Sequence, residues 1–531
     1  EELDRDLLGG QFIKGYDVPY LKNRSLRMRK QMERTYDGDV PVYHRFPDLR
    51  NILHRPLFDS KIAYAEQVQG EAATTGSGSL AWMAGSILGY GKVPRTRITD
   101  LMKRDPMMLA VYNAWDNVCV ERCMEELQLV PFYLMKTAFH NSTIRNSHSN
   151  MMLVEDMMGH LLKERGAVMP SVDTARMKLK GDRGIEQGAF IMEAPSGLFR
   201  NAIEVDNSME YPSVIITCNA DPMTKVNIED YPDGFPFPVA TTPLGTTYRQ
   251  DIQGVMPTLL RSLAHEREQV RSEMRDAFAA GDDKLGKRLD QRQRVMKENM
   301  NSWYGVLGSG RTEKTSGRPF RIVDGDIGSD ITDIARRHND WNKRLIDGST
   351  LLFTQDGVYP DPQSIENENI DKPASHGVGD AEGFRLRFRT IYQDTDSCKM
   401  IIDNHDEAEA TVRPFTQDDV KSIGNILCRT LNASFDRFVQ ETIGVDKNEF
   451  FRIKPDEYYD AYFQWGVKKR YAYLTFSGDY GFRGVEIRRS SVPKIVKDSQ
   501  RRLFDSILGG GDTRAINKVL LSIRDDVMDE D

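Results

Sequence analysis

The chain has 531 residues, of which 72 are Lys or Arg and 80 are Asp or Glu, so its formal net charge is -8. No apolar run approaches the ~20 residues that span a membrane, and the N-terminus has no signal-peptide pattern. The five cysteines are scattered, which excludes a disulfide framework and a paired-cysteine zinc site. We therefore expect a soluble, intracellular protein of several domains, without a membrane partner.

Charge is unevenly distributed along the chain. Six Lys or Arg and one acid lie within residues 284–297, and ten Lys or Arg and three acids lie within residues 468–502. Seven acids and one Lys lie within residues 355–382. Because local fields rather than net charge determine binding partners, a nucleic-acid partner is compatible with the negative total.

The first part of the chain predicts helices and then strands. A helix is expected at residues 106–128, because Pro106 suits a first helical turn and apolar residues recur at helical spacing. Residues 150–166 predict an amphipathic helix that ends near Gly166. Short apolar runs predict strands at residues 188–192, 202–206 and 214–218.

The remainder predicts a helical hairpin followed by loops and strands. Residues 254–301 indicate two long antiparallel helices separated by a turn at Gly281. Polar, acidic sequence predicts loops at residues 349–388 and 403–419. Further elements are expected as strands at 388–391, 399–402 and 470–476, and as a helix near 416–441.

An aspartate ends one of the predicted strands. Asp206 follows an apolar run and precedes Tyr211-Pro212-Ser213. A carboxylate at a strand end can reach into a cleft. The simpler interpretation is a strand terminator followed by a proline turn, and the motif alone favours it.

A second acidic motif lies between two apolar runs. Residues 392–397 contain Asp394, Thr395 and Asp396 and predict the turn of a β-hairpin. Asp and Thr are ordinary turn residues, but neighbouring carboxylates repel one another unless a cation lies between them. Phosphoryl transfer uses this chemistry, with oxygen ligands for two metal ions about 4 Å apart.

The predicted helical hairpin carries basic residues at helical spacing. Lys297, Asn301 and Tyr304 share one face of the second helix, and Arg267 and Arg271 share one face of the first. Three cations without matching acids suit a triphosphate. A solvated basic helix is an equally simple interpretation of this motif alone.

Taken together and in this order, the motifs resemble those of the family B DNA polymerases. The Asp206 strand with Tyr-Pro-Ser is followed by Lys297-x-x-x-Asn-Ser-x-Tyr-Gly and then by Tyr-x-Asp-Thr-Asp396-Ser. The basic motif Lys468-Lys-Arg-Tyr-Ala comes next, and Gly484-Val-Glu-Ile-Arg-Arg completes the series. The resemblance covers nearly the whole chain.

The resemblance implies a template-directed DNA polymerase that adds dNTPs to a primer 3′ end, in a replicative role, by two-metal phosphoryl transfer. Two Mg²⁺ ions, for which Mn²⁺ can substitute, are expected at the catalytic acids Asp206, Asp394 and Asp396. The implied nucleotide-binding residues are Tyr211, as the steric gate, Arg267, Arg271, Lys297, Asn301 and Tyr304. The implied DNA-binding residues are Lys468, Lys469, Arg470, Tyr471, Gly484, Arg488 and Arg489.

The N-terminal part resembles the second half of the family's 3′–5′ exonuclease. Asp17 matches a metal ligand of the second exonuclease motif, and Tyr112 and Asp116 match the third. The first motif would lie before Glu1, and the sequence stops at Asp531 just after an apolar helical pattern. We therefore expect a protein truncated at both ends, whose exonuclease remnant does not proofread.

The sequence departs from the family pattern at both acidic motifs. Met209 and Glu210 replace Ser-Leu before the gate tyrosine, and Gln393 replaces the usual Gly before Asp394. A carboxylate at position 210 beside a triphosphate is unfavourable unless its side chain points away. Residues 349–388 resemble an acidic insertion, with too little apolar content for a core.

The implied fold is a multidomain α/β and α+β architecture, with an RNase H-like exonuclease remnant and a right-hand polymerase. The right hand comprises a palm of antiparallel sheet and helices, helical fingers and a partial thumb. The expected regions are a partial 3′–5′ exonuclease-like domain at 1–130, a helical connector and start of the palm at 131–200, palm at 201–250, the fingers hairpin at 251–301, palm with an acidic insertion near 349–388 at 302–482, and a partial thumb at 483–531.

Two other functions are compatible with parts of the sequence. An inactive polymerase-like scaffold or DNA-binding subunit would lose the metal-binding acids, which are all present. A nuclease module without synthesis would keep the exonuclease acids and lose Lys297 and Asn301, the opposite of what is found.

The expected partners follow from the polymerase interpretation. They are primer–template DNA, dNTPs and, through a C-terminal segment beyond Asp531, a sliding clamp. A virus or an archaeon is the expected source, with the protein in the cytoplasm or nucleoid of a prokaryotic host and a eukaryotic nucleus left open.

Overall fold

The protein is described by a computed structural model. The described residues are 8–10, 57–60, 63–64, 79–93, 98–169, 191–308, 321–361, 364, 383–485, 487 and 492–528. Contacts divide the chain into two compact units, Glu1–Met157 and Met158–Asp531. Within the described residues, no helix combines the length and the apolar character that crossing a membrane requires.

The first unit is largely helical in its described part. Its elements are β1 (Leu8–Gly10), β2 (Leu57–Asp59), α1 (Leu80–Leu88), α2 (Ile98–Arg104), α3 (Pro106–Glu126), α4 (Leu129–Phe139) and the start of α5 (Asn150–Glu164). At the start of α3, the side chain of Asp105 accepts a hydrogen bond from the Met108 N–H, and Pro106 occupies the first turn. The helices predicted at 106–128 and 150–166 are confirmed.

The second unit is built on a large antiparallel sheet. Its strands are β3 (Ser196–Asn207), β7 (Thr350–Thr354), β8 (Gly357–Pro360), β9 (Phe384–Asp394), β10 (Ser397–Ile402), β11 (Ile453–Trp465), β12 (Tyr471–Thr475) and β13 (Tyr480–Arg483). Their order across the sheet is β13-β12-β11-β3-β10-β9-β7-β8. This order places β3, which carries Asp206, beside β10, which follows Asp396.

A smaller sheet and several helices complete the second unit. The small sheet consists of β4 (Lys225–Val226), β5 (Val239–Thr241) and β6 (Thr247–Arg249). The helices are α6 (Glu210–Cys218), α7 (Val255–Ala279), α8 (Asp283–Gly308), α9 (Gly325–Gly348), α10 (His405–Thr411), α11 (Gln417–Ile443), α12 (Lys494–Leu508) and α13 (Thr513–Met528). Helices α9 and α11 contact each other and pack on the large sheet, so they bury one of its faces.

The predicted helical hairpin at residues 254–301 is confirmed as α7 and α8, which pack against each other. Gly281 between them has φ +77, a conformation that favours glycine. The helix predicted near 416–441 is confirmed as α11, which begins with a capping box between Thr416 and Asp419.

Three predictions for the second unit are wrong. Residues 214–218, predicted as a strand, lie in α6, where all of them are buried. Their β-branched side chains favour a strand locally, but tertiary packing overrides that weak preference. The loop expected at 349–388 contains β7, β8 and the start of β9, and the loop expected at 403–419 contains α10.

Candidate active site

Two adjacent strands bring Asp206 and Asp396 to one end of the large sheet. Asp206 on β3 lies directly opposite Ser397 on β10. The backbone N–H of Asn207 donates a hydrogen bond to the carbonyl oxygen of Asp396 at 2.7 Å. Asn207, the neighbour of Asp206, is thus hydrogen-bonded to Asp396. The two aspartates line a cleft of about 910 Å³.

The two carboxylates are held in an unfavourable electrostatic setting. Burial, followed by the charge of Asp396, raises the pKa of Asp206 to about 7. The side chain of Asp396 opens to the cleft. Even so, desolvation by the surrounding protein, followed by the charge of Glu210, raises the pKa of Asp396 to about 6. Desolvation and like charge therefore both disfavour the ionised pair without a cation.

The chemistry of this donor pair fits a hard divalent cation. Mg²⁺ binds carboxylate oxygens and ordinarily completes its shell with water and substrate phosphates. Asp206 and Asp396 are the residues that would hold it, and its charge would relieve their repulsion. Within the described residues, no three His, Cys, Asp or Glu side chains stand together as a larger metal-binding group.

Asp394 lies on the same hairpin, but its carboxylate is engaged elsewhere. The hydroxyl of Thr395 donates to Asp394 Oδ1 at 3.1 Å, and Lys469 Nζ lies 3.3 Å from the same oxygen. The structure therefore brings Asp206 and Asp396 together in the cleft and directs Asp394 toward the basic residues that follow β11.

The helical hairpin of α7 and α8 lines the same cleft. Its predicted nucleotide-binding residues all contribute to the lining: Arg267, Arg271, Lys297, Asn301 and Tyr304. Arg267 donates to Gln293 Oε1 at 3.3 and 3.2 Å through Nε and Nη2. Burial, followed by the nearby Arg271, lowers the pKa of Arg267. Within the described part of the chain, no ion pair engages Arg267 or Lys297.

The expectation that these cations have no matching acid is wrong for Arg271. Its Nη1 lies 3.3 Å from Glu268, which also lines the cleft. Both side chains are exposed, at 41% and 63%. Exposed pairs of this kind contribute little stability, so Arg271 can exchange Glu268 for another anion at low cost.

Two tyrosines from different elements pack together in the cleft. The ring of Tyr211, in the first turn of α6, lies 4.4 Å from the ring of Tyr304 on α8, with the planes tilted by 41°. Burial, followed by the proximity of Tyr304, raises the pKa of Tyr211 to about 12, so its hydroxyl stays neutral. The pair forms an aromatic wall beside the basic residues.

Glu210 borders the cleft, but its carboxylate is buried and hydrogen-bonded to α9. The side chain is 4% exposed, and its two oxygens accept a hydrogen bond from Nδ1 of His338 at 2.9 and 3.0 Å. The His338 ring packs against Phe435, Phe438 and Phe451. The carboxylate therefore points toward α9, although its charge still reaches Asp396 and raises the pKa of that residue.

The basic motif lies in the connection from β11 to β12. Residues 468–470 are exposed, and Tyr471 begins β12. The backbone N–H of Lys469 donates to the Tyr392 hydroxyl at 3.1 Å. Gly484 has φ +65, and a Cβ there would lie 2.1 Å from the Lys469 carbonyl oxygen, so only glycine allows this close approach. Arg488 and Arg489, which are also predicted to bind DNA, lie outside the described residues.

In the first unit, Tyr112 and Asp116 lie one turn apart on α3. Asp116 Oδ2 forms an ion pair with Lys92 Nζ at 2.7 Å, and this ammonium lies 4.9 Å from the centre of the Tyr112 ring. Burial, the largest single cause, opposes the charge of Lys92, but the interactions with Asp116 and Tyr112 together outweigh it and raise the pKa of Lys92. Asp17 lies outside the described residues.

Other cleft residues carry no sequence motif that could have identified them. Arg452, Lys454 and Asp456 come from the chain at the start of β11. Lys454 is directly opposite Asp206 across the sheet, and it also pairs with Asp456 at 3.2 Å. Only the strand order brings these residues to Asp206, from which they are remote in sequence.

The cleft combines paired carboxylates on an antiparallel sheet with a basic helical hairpin. A site of this class suits a divalent cation and a polyphosphate. The family model for DNA polymerase family B matches residues 142–530. The chain belongs to DNA polymerase family B.

Curated relatives come from archaea and from a plant. The DNA polymerase of Thermococcus sp. (strain 9oN-7) is 26% identical over 554 residues, covering 98% of this chain and 58% of that protein. The DNA polymerase of Thermococcus gorgonarius is 24% identical, with the same coverage of 98% and 58%. The DNA polymerase delta catalytic subunit of Glycine max is 25% identical over 74% of this chain and 38% of its own length. The chain thus spans little more than half of these archaeal relatives.

Proposed function

We propose that this chain is the catalytic part of a template-directed DNA polymerase, which adds dNTPs to a primer 3′ end during DNA replication. The observation that carries the proposal is a single cleft lined by Asp206 and Asp396 and also by Arg267 and Lys297. These charges complement a metal-bound triphosphate. Membership of DNA polymerase family B supports the same function.

In this polymerase, the parts of the right hand correspond to described elements. The large sheet with α9 and α11 is the palm, which takes in residues 201–250 and 302–482. Helices α7 and α8 are the fingers, and α12 and α13 belong to a partial thumb. Residues 1–130 are the exonuclease-like remnant, joined to the palm through residues 131–200.

Divalent cations are the proposed cofactor. Asp206 and Asp396 would hold them, with Asp394 beside these residues. When bound, two Mg²⁺ ions activate the primer 3′-hydroxyl and neutralise charge on the triphosphate and the departing pyrophosphate. The chain's own contribution is placement, because the pairing of β3 with β10 and the Asn207 bond hold both carboxylates at one edge of the cleft.

The fingers residues are proposed to bind the triphosphate. Arg267 and Lys297 offer charge that no ion pair uses within the described residues. Arg271 would exchange its exposed contact with Glu268 for phosphate oxygens. Asn301 lies one turn after Lys297 on α8 and adds an uncharged donor.

Tyr211 is the proposed selector of the nucleotide sugar. Its ring would lie under the deoxyribose and clash with a 2′-hydroxyl. The contact with Tyr304 supports its position and limits its movement away from such a clash. Tyr304 would itself border the new base pair.

The basic residues after β11 are proposed to hold the primer strand. Residues 468–470 are exposed, and the Lys469–Asp394 ion pair keeps them beside the acidic hairpin. Contacts to phosphates position a duplex without reading its sequence, which suits a copying enzyme. Arg488 and Arg489 are proposed to extend this track.

An inactive scaffold or DNA-binding subunit is the second candidate function. The observation in its favour is that Asp394 is paired with Lys469 and that no larger metal-binding group forms within the described residues. Such a protein would bind primer–template DNA but would not extend the primer.

The two candidates are separated by primer extension with single nucleotides. Each dNTP is supplied alone, with Mg²⁺, to primer–templates that differ in the next template base. The proposed polymerase adds only the complementary nucleotide, and EDTA abolishes the addition. Binding without extension would favour the scaffold, and addition independent of the template base would contradict templated synthesis.

A further inference from the structure

The helix behind the acidic residues, α9, has a buried polar face. His338, Asn339 and Asn342 lie within little more than one turn and are at most 2% exposed. Buried polar groups are costly unless their donors and acceptors have partners. The partners of these side chains therefore show what the helix holds in place.

Asn339 bonds to both of the segments that carry the paired aspartates, the hairpin turn before Asp396 and the end of β3. Its Nδ2 donates to the carbonyl oxygen of Thr395, which lies between the two acids of the hairpin. Its Oδ1 accepts from Nδ2 of Asn207, the residue after Asp206, at 3.2 Å. The side-chain amide of Asn339 thus connects the end of β3 to the hairpin turn.

Two further amides hold the same assembly. Nδ2 of Asn342 donates to Oδ1 of Asn207 at 3.1 Å, so Asn207 is held from two positions on α9. Nε2 of Gln393 donates to the backbone carbonyl oxygen of Asn339 at 2.7 Å. Gln393 is a departure from the family pattern, and it ties the end of β9 to the helix.

The hairpin turn needs such support because its backbone is strained. Thr395 has φ +61, a conformation that a β-branched residue rarely adopts and that persists only when surrounding contacts hold it. The bond from Asn339 to the Thr395 carbonyl oxygen is one such contact. Without it the turn can relax, and the adjacent Asp396 moves with the turn.

We propose that Asn339 is a positioning residue, which sets the spacing of Asp206 and Asp396 and thereby the affinity of the cleft for divalent cations. This role rests on the proposed function, since it takes these two acids as the metal ligands. Asn339 is buried and acts through the end of β3 and the hairpin turn, without touching the cation or the substrate.

The test is direct Mn²⁺ binding, measured by electron paramagnetic resonance without nucleotide. Asn339→Ala should raise the dissociation constant for Mn²⁺ roughly 10–100-fold, the range expected when a partner that orients metal ligands is removed. The affinity for primer–template DNA, measured in EDTA, should stay within about twofold of wild type. If Asn339→Ala does not fold, Asn339→Ser is assessed in the same way.

Two further variants serve as controls. Asp330→Ala breaks other buried bonds of the same helix, to Tyr248 at 2.7 Å and Thr242 at 2.8 Å. It should lower the melting temperature and leave Mn²⁺ affinity unchanged. Asp396→Asn identifies the site, because it should abolish the tight Mn²⁺ binding.

Unchanged Mn²⁺ affinity in the folded Asn339 variant would overturn the proposal, as would an equal loss in Asp330→Ala. Because binding is measured without nucleotide, it is separate from synthesis. A wild-type protein that binds Mn²⁺ through Asp396, loses this affinity in Asn339→Ala and extends no primer would contradict the proposed function alone. A wild-type protein without Asp396-dependent Mn²⁺ binding would overturn both.

Discussion

At the residue scale, the cleft collects charged side chains from segments that are remote in sequence. Asp206 and Asp396 come from the sheet, whereas Arg267 and Lys297 come from the helical hairpin. The sheet residues repel each other, and the hairpin residues have no ion pair within the described part of the chain. The two sets are therefore complementary to a ligand that carries both a cation and phosphates.

Lys297→Ala should weaken nucleotide use far more than DNA binding. A charge-assisted hydrogen bond contributes about 1.5–3 kcal/mol, so kcat/KM for the correct dNTP should fall roughly 10–150-fold. Steady-state extension at varied dNTP concentration measures this change. Lys287→Ala is the matched control, an exposed lysine on the same helix outside the cleft. Equal dNTP dependence in Lys297→Ala and wild type would contradict the assigned role.

Tyr211→Ala should admit ribonucleotides, because removal of the ring opens space beside the sugar. The ratio of kcat/KM for rNTP to that for dNTP should rise by roughly tenfold or more. Tyr211→Phe keeps the ring and its contact with Tyr304, so its ratio should match wild type. A ratio that does not change in Tyr211→Ala would mean that another residue selects the sugar.

At the site, sequence reasoning could nominate residues only where they stand in a short motif. Asp206, Lys297 and Asp396 are recognisable from their neighbours and spacing. His338 and Asn339 are not, because only the packing of α9 brings them to Glu210 and to the hairpin turn. Nothing in the helical pattern distinguishes a buried asparagine that supports a site from one that faces solvent.

At the element scale, local signals predicted helices better than they predicted strands and loops. Helix α3 has a capping aspartate and a proline in its first turn, and the α7–α8 hairpin has Gly281 at its turn. Residues 214–218 carry a strand-like composition, but burial on all sides in α6 decides their conformation. In β7, alternating burial of Leu351 and Phe353 shows a strand within acidic sequence that predicted a loop.

The stability of α4 should depend on pH through His140 at its end. Nδ1 donates to the Lys136 carbonyl oxygen at 2.6 Å, and burial lowers the pKa of His140 to about 4. An unfolded histidine has a pKa of about 6.5, so between pH 6.5 and 4 the unfolded chain binds more protons. The neutral, buried His140 therefore stabilises the fold fully above pH 6.5. Its contribution to the free energy of unfolding falls by up to about 3 kcal/mol as the pH decreases to 4.

Hydrogen exchange of the α4 amides between pH 7.5 and 5.5 measures this effect, after correction for the intrinsic exchange rates. Protection should decrease toward pH 5.5 in the wild type and change less in His140→Gln, which cannot be protonated there. Identical pH dependence in the two proteins would show that His140 does not titrate as its burial requires.

At the scale of the whole molecule, net charge is a poor guide to the partner. The chain carries -8 overall, yet exposed basic residues lie after β11 and on the α7–α8 hairpin. The order of the motifs predicted the family, which the match over residues 142–530 confirms. The division into two units after Met157 could not be predicted, because it depends on long-range contacts.

The protein should not shorten a mispaired primer 3′ end. In the first unit, the Lys92 ammonium lies 2.7 Å from Asp116 and competes with any metal ion for that carboxylate. Two-metal hydrolysis needs acids that are free to bind cations. The measurement is incubation with a mispaired primer–template and Mg²⁺ without dNTP, followed by gel analysis of primer length. Stepwise shortening that Asp116→Ala abolishes would contradict this expectation.

The most direct test of the paired-aspartate site is the rate of a single nucleotide addition by Asp396→Asn. A rapid-quench reaction uses saturating primer–template, the next correct dNTP and Mg²⁺, with Asp403→Asn at the far end of β10 as the matched control. Loss of a metal ligand should slow addition roughly 10³-fold or more while the DNA dissociation constant stays within about twofold, and the control should retain the wild-type rate. Addition by Asp396→Asn at the wild-type rate would contradict the assignment of Asp206 and Asp396 as the acids that hold the catalytic cations.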